Sequence, residues 1–283
     1  MARAGAGRLS GRAPRGRYRF RRRAGCPGAD TGAARRALRP AARRVAGGGG
    51  MTAYLVIDTS TRYGAAAVWR DGLSRSVSWR SRNNHTAELM PAVRWLTEAE
   101  GVAPDALDGV VVSVGPGGFS ALRTGIGVAK GLAVAWSLPV AGVSTLEASA
   151  YPYRLTAERI CSVLPAGRGV VAWAVYGMDD GSWSALTEEQ VSPIAEFAAA
   201  QSGGTLFCGE SAADVEEALR ERMGTDAWFV VESAPLARLS GAAELGAAML
   251  ALGEAGSATA IAPRYLRSPR ITPPGAPKPV SGG

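Results

Sequence analysis

Residues 112–133 read VSVGPGGFSALRTGIGVAKGLA. An apolar strand end, a glycine-rich loop and a helix follow one another there, which is the local order of an α/β protein. GVVVSV at 109–114 is a short continuous apolar run, as in a strand covered on both faces. Gly115-Pro116-Gly117-Gly118 lets the backbone turn sharply and approach a neighbour closely. A helix is expected over about 120–137, with Ser120 as its cap. Its exposed N–H groups and positive dipole end make the loop a candidate phosphate site. No Gly-Lys-Ser/Thr of a P-loop follows; Arg123 stands one turn into the helix instead. The alternative is a tight strand-to-helix connection that packs two elements together. Within the helix Gly127, Gly131 and Ala135 recur every four residues, as do Ala121, Gly125, Ala129 and Ala133. An interior Gly costs about 1 kcal/mol relative to Ala. Two on one stripe therefore predict the close approach of another helix, from this chain or from a second subunit.

On the N-terminal side, AYLVIDTS (53–60) reads as a buried strand ending in Asp58-Thr59-Ser60. An Asp at the carboxyl edge of such a strand either holds a metal–phosphate or a water, or caps the strand in a turn; both fit. Residues 64–70 and 73–80, joined at Asp71-Gly72, predict a hairpin. A helix from His85 to about Glu100 carries Leu89, Val93 and Leu96 on one face, with Pro91 near its first turn. On the other side, 139–143 reads as a strand and 145–151 as a helix start after Ser144. The pattern then recurs: strands at 159–165, 169–177 and 181–187, a helix at 193–201, a strand at 205–209, a helix at 212–222, a strand at 227–232 and a helix near 238–253. Three strands followed by alternating helices and strands, twice over, predict a duplicated α/β lobe, with boundaries at 51–157 and 158–267.

Composition bounds the rest. The chain has 283 residues, with 32 Lys+Arg against 24 Asp+Glu and a net charge of +8. Fourteen of the basic residues but one acid, Asp30, fall in residues 1–50, leaving 18 basic and 23 acidic residues for a mildly acidic remainder. Residues 1–50 are rich in Gly, Ala and Arg and offer nothing to bury. They read as a disordered arm, or as sequence upstream of a true start at Met51. Residues 268–283 hold five Pro and read as a disordered tail. No apolar run reaches the roughly 18 residues of a membrane helix, so no membrane role is expected. Cys26, Cys161 and Cys208 form no CxxC and imply a reducing compartment. His85 is the sole His, so sites needing two are excluded, and with Glu88 it makes a weak metal motif; a local hydrogen bond is the expected role. No metal site and no catalytic residue are expected. The seven Trp read as core and lobe-interface residues.

LVIDTS (55–60), HTAELMP (85–91), the 112–133 block, VAGVSTLEA (140–148) and PRYLR (263–267) together resemble the bacterial TsaB (YeaZ-like) family of tRNA threonylcarbamoyladenosine biosynthesis proteins. Gly118, Ser120 and Ala121 depart from the family's GPGSFTGLR-like pattern by small residues. PAGRGVVAW (165–173) keeps Arg168 and Gly169 of a DARRGEVY-like segment, with Pro165 and Val170 in place of its acids. The resemblance implies an actin-like (ribonuclease-H-like) α/β fold of two lobes, each a mixed sheet with a β-meander and flanking helices. It implies a cytoplasmic, non-catalytic scaffold working with the paralogue TsaD and the ATPase TsaE. That assembly transfers a threonylcarbamoyl group from threonylcarbamoyl-AMP to N6 of the adenosine just 3′ of the anticodon. No cofactor of its own is expected; ATP/ADP and a metal ion would sit in the partner subunits, and tRNA would be met through the complex. Asp58, Thr59, Ser60, Gly115, Gly117, Gly118, Ser120 and Arg123 form the candidate nucleotide or loop site. Leu89, Val93, Leu96, Gly127, Gly131 and Ala135 form the candidate interface with the paralogue, or with a second copy in a homodimer. An autonomous ATP-dependent transferase, a glycoprotease-like metalloprotease and a nucleotide-binding sensor remain the alternatives.

Overall fold

The computed structural model describes residues 52–266 except 71, 83, 180 and 231–234. The arm at 1–50 with Cys26, the tail at 268–283 and Asp71 of the hairpin turn lie outside the described residues. The continuous buried run of β1 (Ala53–Asp58), the small apolar centre of β2 (Tyr63–Arg70) and the alternating β3 (Leu73–Arg80) form an antiparallel meander. After α1 (His85–Ala99), β4 (Gly109–Gly115) pairs parallel with β1. After α2 (Phe119–Trp136), β5 (Val140–Ser144) pairs parallel with β4, and α3 (Thr145–Ala150) closes the half. Ser144 caps α3 as its position predicted, its Oγ accepting the Glu147 N–H at 3.3 Å.

The second half repeats this plan. β6 (Arg159–Pro165), β7 (Val170–Asp179) and β8 (Ser182–Ala185) form a meander. α4 (Ile194–Ala200) leads to β10 (Thr205–Cys208), parallel to β6; α5 (Ala212–Met223) leads to β11 (Ala227–Phe229), parallel to β10; α6 (Pro235–Ala251) ends the half. An extra strand that the sequence did not signal, β9 (Gln190–Pro193), pairs with β7. The sheet orders are β3-β2-β1-β4-β5 and β8-β7-β6-β10-β11, the same order by position in each half. This is a duplicated actin-like α/β fold.

Three apolar cores separate five layers. Leu55, Ile57, Val110 and Val112 face α1 and α2 through Leu89, Leu96, Leu122 and Ile126. Cys161, Val163 and Val175 of the second sheet face α4 and α5 through Phe197, Val215 and Leu219. Between the sheets, Val56, Val111 and Val143 meet α3, α6 and the inner face of β6–β8 through Leu146, Leu239, Leu245, Tyr176 and Trp183. α6 reaches this position because it carries glycine where it is tightest. A Cβ at Gly246 would lie 2.2 Å from Val111, and one at Gly241 would lie 2.1 Å from the Ala148 carbonyl oxygen.

The helices correct four expectations. Gly118, not Ser120, is the cap residue of α2, and no side chain caps it; Ser120 lies inside the first turn. Pro91 sits in the second turn of α1, where it removes a backbone bond. Leu89, Val93 and Leu96 are at most 4% exposed and fill the first core, so they cannot form a partner surface. Trp95 and Trp228 are half exposed rather than core residues, and Arg75 lies over the Trp95 ring at 5.8 Å.

The two small-residue stripes of α2 have different causes. A Cβ at Gly125 would come 2.4 Å from Thr59 Oγ1, so the Ala121–Gly125–Ala129–Ala133 side is small because α2 packs on β1. At Gly127 and Gly131 an added Cβ meets nothing within 4 Å among the described residues. That stripe, with Ala135 and the 69% exposed Val134, faces outward.

Candidate functional site

The segments that follow the carboxyl ends of β1, β4 and β10 meet at one cavity. The turn after β1 (Asp58–Arg62), the loop after β4 (Gly115–Gly118) and the turn after β10 (Gly209–Ser211) wall a cavity of about 540 Å³. A smaller cavity of about 280 Å³ shares Gly117, Gly118, Leu164 and Pro165 with it and reaches Arg264 and Tyr265.

Asp58 is fully buried beneath this cleft, and both its oxygens are engaged. Oδ1 accepts the Ser60 N–H at 2.9 Å and the Ser60 hydroxyl at 2.6 Å; Oδ2 accepts Nε of Arg238 at 2.5 Å. Burial alone would raise the Asp58 carboxyl, but the Arg238 charge and the Ser60 bonds outweigh it and hold it below the usual carboxylate value. Arg238, from the first turn of α6, is 3% exposed and also donates Nη1 to Glu210 Oε1 at 2.8 Å. Burial opposes its charge, and the two carboxylates keep it firmly protonated. Thr61 closes the network, its Oγ1 donating to Glu210 Oε1 at 2.5 Å and accepting Nη2 of Arg238 at 3.1 Å. One guanidinium thus serves two buried carboxylates.

The predicted site residues part company here. Ser60, Gly117, Gly118 and Ser120 line the larger cavity. Thr59 does not; it donates Oγ1 to the Ala121 carbonyl at 2.7 Å and fastens β1 to α2. Gly115, at φ +117°, is covered by the Arg264 carbonyl, 2.5 Å from where its Cβ would be. Gly117 is needed for approach, since a Cβ there would meet the Ser60 carbonyl at 2.1 Å. Arg123 turns away from the cavity: its guanidinium lies 3.9 Å from the Phe119 ring centre and its Nε donates to the Tyr265 hydroxyl at 3.1 Å. His85 makes a long-range bond rather than the expected local one, Nε2 donating to the Thr61 carbonyl at 2.9 Å. Glu210 and Arg238 were missed. Their signals were an acid in a strand–Gly–Glu–Ser–helix run and a lone cation in the otherwise apolar start of α6.

These residues do not fit a nucleotide's phosphates. The carboxylate at the end of β1 is taken by Arg238, Glu210 adds unbalanced negative charge, and the Gly118 N–H is given to the Ser60 carbonyl at 2.8 Å. Among the described residues no cluster of three or more His, Cys, Asp or Glu can hold a metal ion, and no helix is long and apolar enough to cross a membrane.

Fold and cleft together define an actin-like protein whose interlobe site carries an internal ion-pair network. The family described as TsaD, tRNA N6-adenosine threonylcarbamoyltransferase, matches residues 80–271. The Escherichia coli tRNA threonylcarbamoyladenosine biosynthesis protein TsaB is 34% identical over 140 residues, which cover 48% of this chain and 61% of that protein. The chain therefore spans less than two thirds of the length of that relative. The Bacillus subtilis protein of the same name is 29% identical over 217 residues, covering 75% of this chain and 93% of that one. The structure of YeaZ from Pseudomonas aeruginosa superposes with a TM-score of 0.65 at 30% identity, over 76% of this chain and all of that chain. The chain belongs to this threonylcarbamoyladenosine biosynthesis family, as a TsaB-like (YeaZ-like) member.

Proposed function

We propose that this chain is a cytoplasmic, non-catalytic scaffold in tRNA threonylcarbamoyladenosine synthesis. It supports transfer of the threonylcarbamoyl group from threonylcarbamoyl-AMP to N6 of the adenosine 3′ of the anticodon by its paralogue TsaD, with the ATPase TsaE. ATP/ADP and a metal ion belong to those partners. The observation that carries this reading is the Asp58–Arg238 ion pair. It engages the carboxylate at the carboxyl end of β1, so that group is not free to hold a metal–phosphate or a water. The docking surface is the outward stripe of α2, Gly127, Gly131 and Ala135, where a partner's backbone can come close. The same face serves a homodimer when the paralogue is absent.

Reconstitution tests the reading. The chain alone should modify no tRNA, and omitting it from the mixture with TsaD and TsaE should abolish modification. Modification by the chain alone overturns the scaffold role. Gly131→Leu fills open space and replaces an interior helical Gly, so it should not lower the melting temperature. It should weaken paralogue binding by about 5- to 150-fold, as roughly 1–3 kcal/mol of overpacking implies. Unchanged affinity moves the docking surface off this helix.

A further inference from the structure

The larger cavity carries an excess of buried negative charge. Asp58 and Glu210 share the single guanidinium of Arg238, and the Asp58 and Glu210 side chains are 0% and 6% exposed. Oε1 of Glu210 holds Thr61 and Arg238, whereas Oε2 is buried and has no hydrogen-bond partner among the described residues. On the α1 side of the same cavity, His85 is fixed by its Nε2 bond to the Thr61 carbonyl, and its Nδ1 lies 3.9 Å from Glu88 Oε2. An orphaned carboxylate oxygen and one uncompensated charge call for a donor that is also a cation. At the rim, Asp214 and Arg62 offset one another, so the cavity as a whole lacks one positive charge.

The remaining lining narrows the class. Thr86, Ser120 and Thr124 bring hydroxyls to the open part of the wall, while those of Ser60 and Thr61 are engaged in the network beneath it. Hydroxyls can donate to and accept from a polyhydroxy body. The cavity's 540 Å³ lies in the range of small-molecule sites. An inorganic divalent ion finds no ligand cluster here among the described residues. We propose that this cavity binds a small hydroxyl-bearing primary amine, an amino sugar or amino alcohol, with its ammonium at Glu210. The site is independent of the partner surface on α2.

Calorimetric titration of the full chain with glucosamine, ethanolamine and N-acetylglucosamine tests this. Glucosamine should bind about tenfold or more tightly than N-acetylglucosamine, which keeps the ring and loses the charge. Glu210→Gln should erase that preference. Ser120→Leu, at the exposed rim and outside the ion-pair network, should block binding with the melting temperature unchanged, which separates loss of site from loss of fold. Equal binding of the two sugars, or an ammonium preference that survives Glu210→Gln, overturns the proposal. So does saturable potassium binding that displaces the amine, or no heat with either amine up to roughly a hundred times a millimolar dissociation constant.

Discussion

Nε of Arg238 lies 2.5 Å from Oδ2 of Asp58, though 180 residues of chain separate them. The contact ties the end of the first strand to the start of the last helix. Through Glu210 it extends to the second sheet.

Removing one partner of a buried ion pair is costly because the other charge is left uncompensated. Arg238→Met strands two carboxylates, so it should cost about 3–5 kcal/mol in urea unfolding at neutral pH. Asp58→Asn leaves Arg238 paired with Glu210 and should cost less, about 1–3 kcal/mol. The Asp58 carboxyl is held below its unfolded value, so its contribution is complete above the ordinary carboxylate range. It is lost as pH falls through the lowered folded value. The gap between wild type and Asp58→Asn should therefore close in acid; a gap that widens there would contradict the pairing.

Glycine substitutions along α2 should divide by face. Gly125→Ala drives a methyl into Thr59 Oγ1 and should destabilise by about 1–3 kcal/mol. Gly127→Ala and Gly131→Ala meet open space at ordinary helical geometry, and each should stabilise the isolated chain by about 0.5–1 kcal/mol. Thermal melts of the three variants give the ordering directly.

Glu147 faces the opposite problem from Asp58. Its side chain accepts Nε1 of Trp183 at 3.1 Å, and burial, reinforced by the nearby Glu189 charge, pushes its carboxyl above the usual value. A carboxyl whose folded value is raised favours folding below its unfolded range and loses that advantage as pH rises through the folded value. Glu147→Gln keeps an acceptor for Trp183 and removes the charge. It should raise stability at pH 7 and be neutral near pH 3, as followed by melting across that range.

Two thiols should be silent. Burial pushes Cys208 up to about 12 and Cys161 well above its ordinary value, so neither forms thiolate near neutrality. Peptide mass mapping after iodoacetamide treatment of the native chain should find both unmodified, and both labelled once the chain is unfolded.

Much of the fold was legible because it rests on local periodicity. Val110–Val112 announces a covered strand and the Leu89–Val93–Leu96 spacing a one-faced helix without reference to anything distant, although what that face meets, the first core rather than a partner, was not legible. The repeated meander was visible for the same reason. The site was legible only on one wall. Ser60, Gly117, Gly118 and Ser120 belong to the turns that the sequence marks, but Arg238 and Glu210 acquire their roles from contacts made across 180 and 28 residues. Arg123 shows the converse. Its place one turn into a helix suggested an anion, whereas Phe119 and Tyr265 offered it an aromatic face elsewhere.

The closing helix also sets an order of events during synthesis. One face of the first sheet, with Val56, Val111 and Val143, is covered by Leu239, Ala242 and Leu245 of α6. The ribosome finishes that sheet long before it delivers its cover, which must then clear the exit tunnel. A nascent chain stopped short of Pro235 therefore carries a made but unroofed sheet. Chaperone engagement should peak at such stall lengths and fall once α6 emerges.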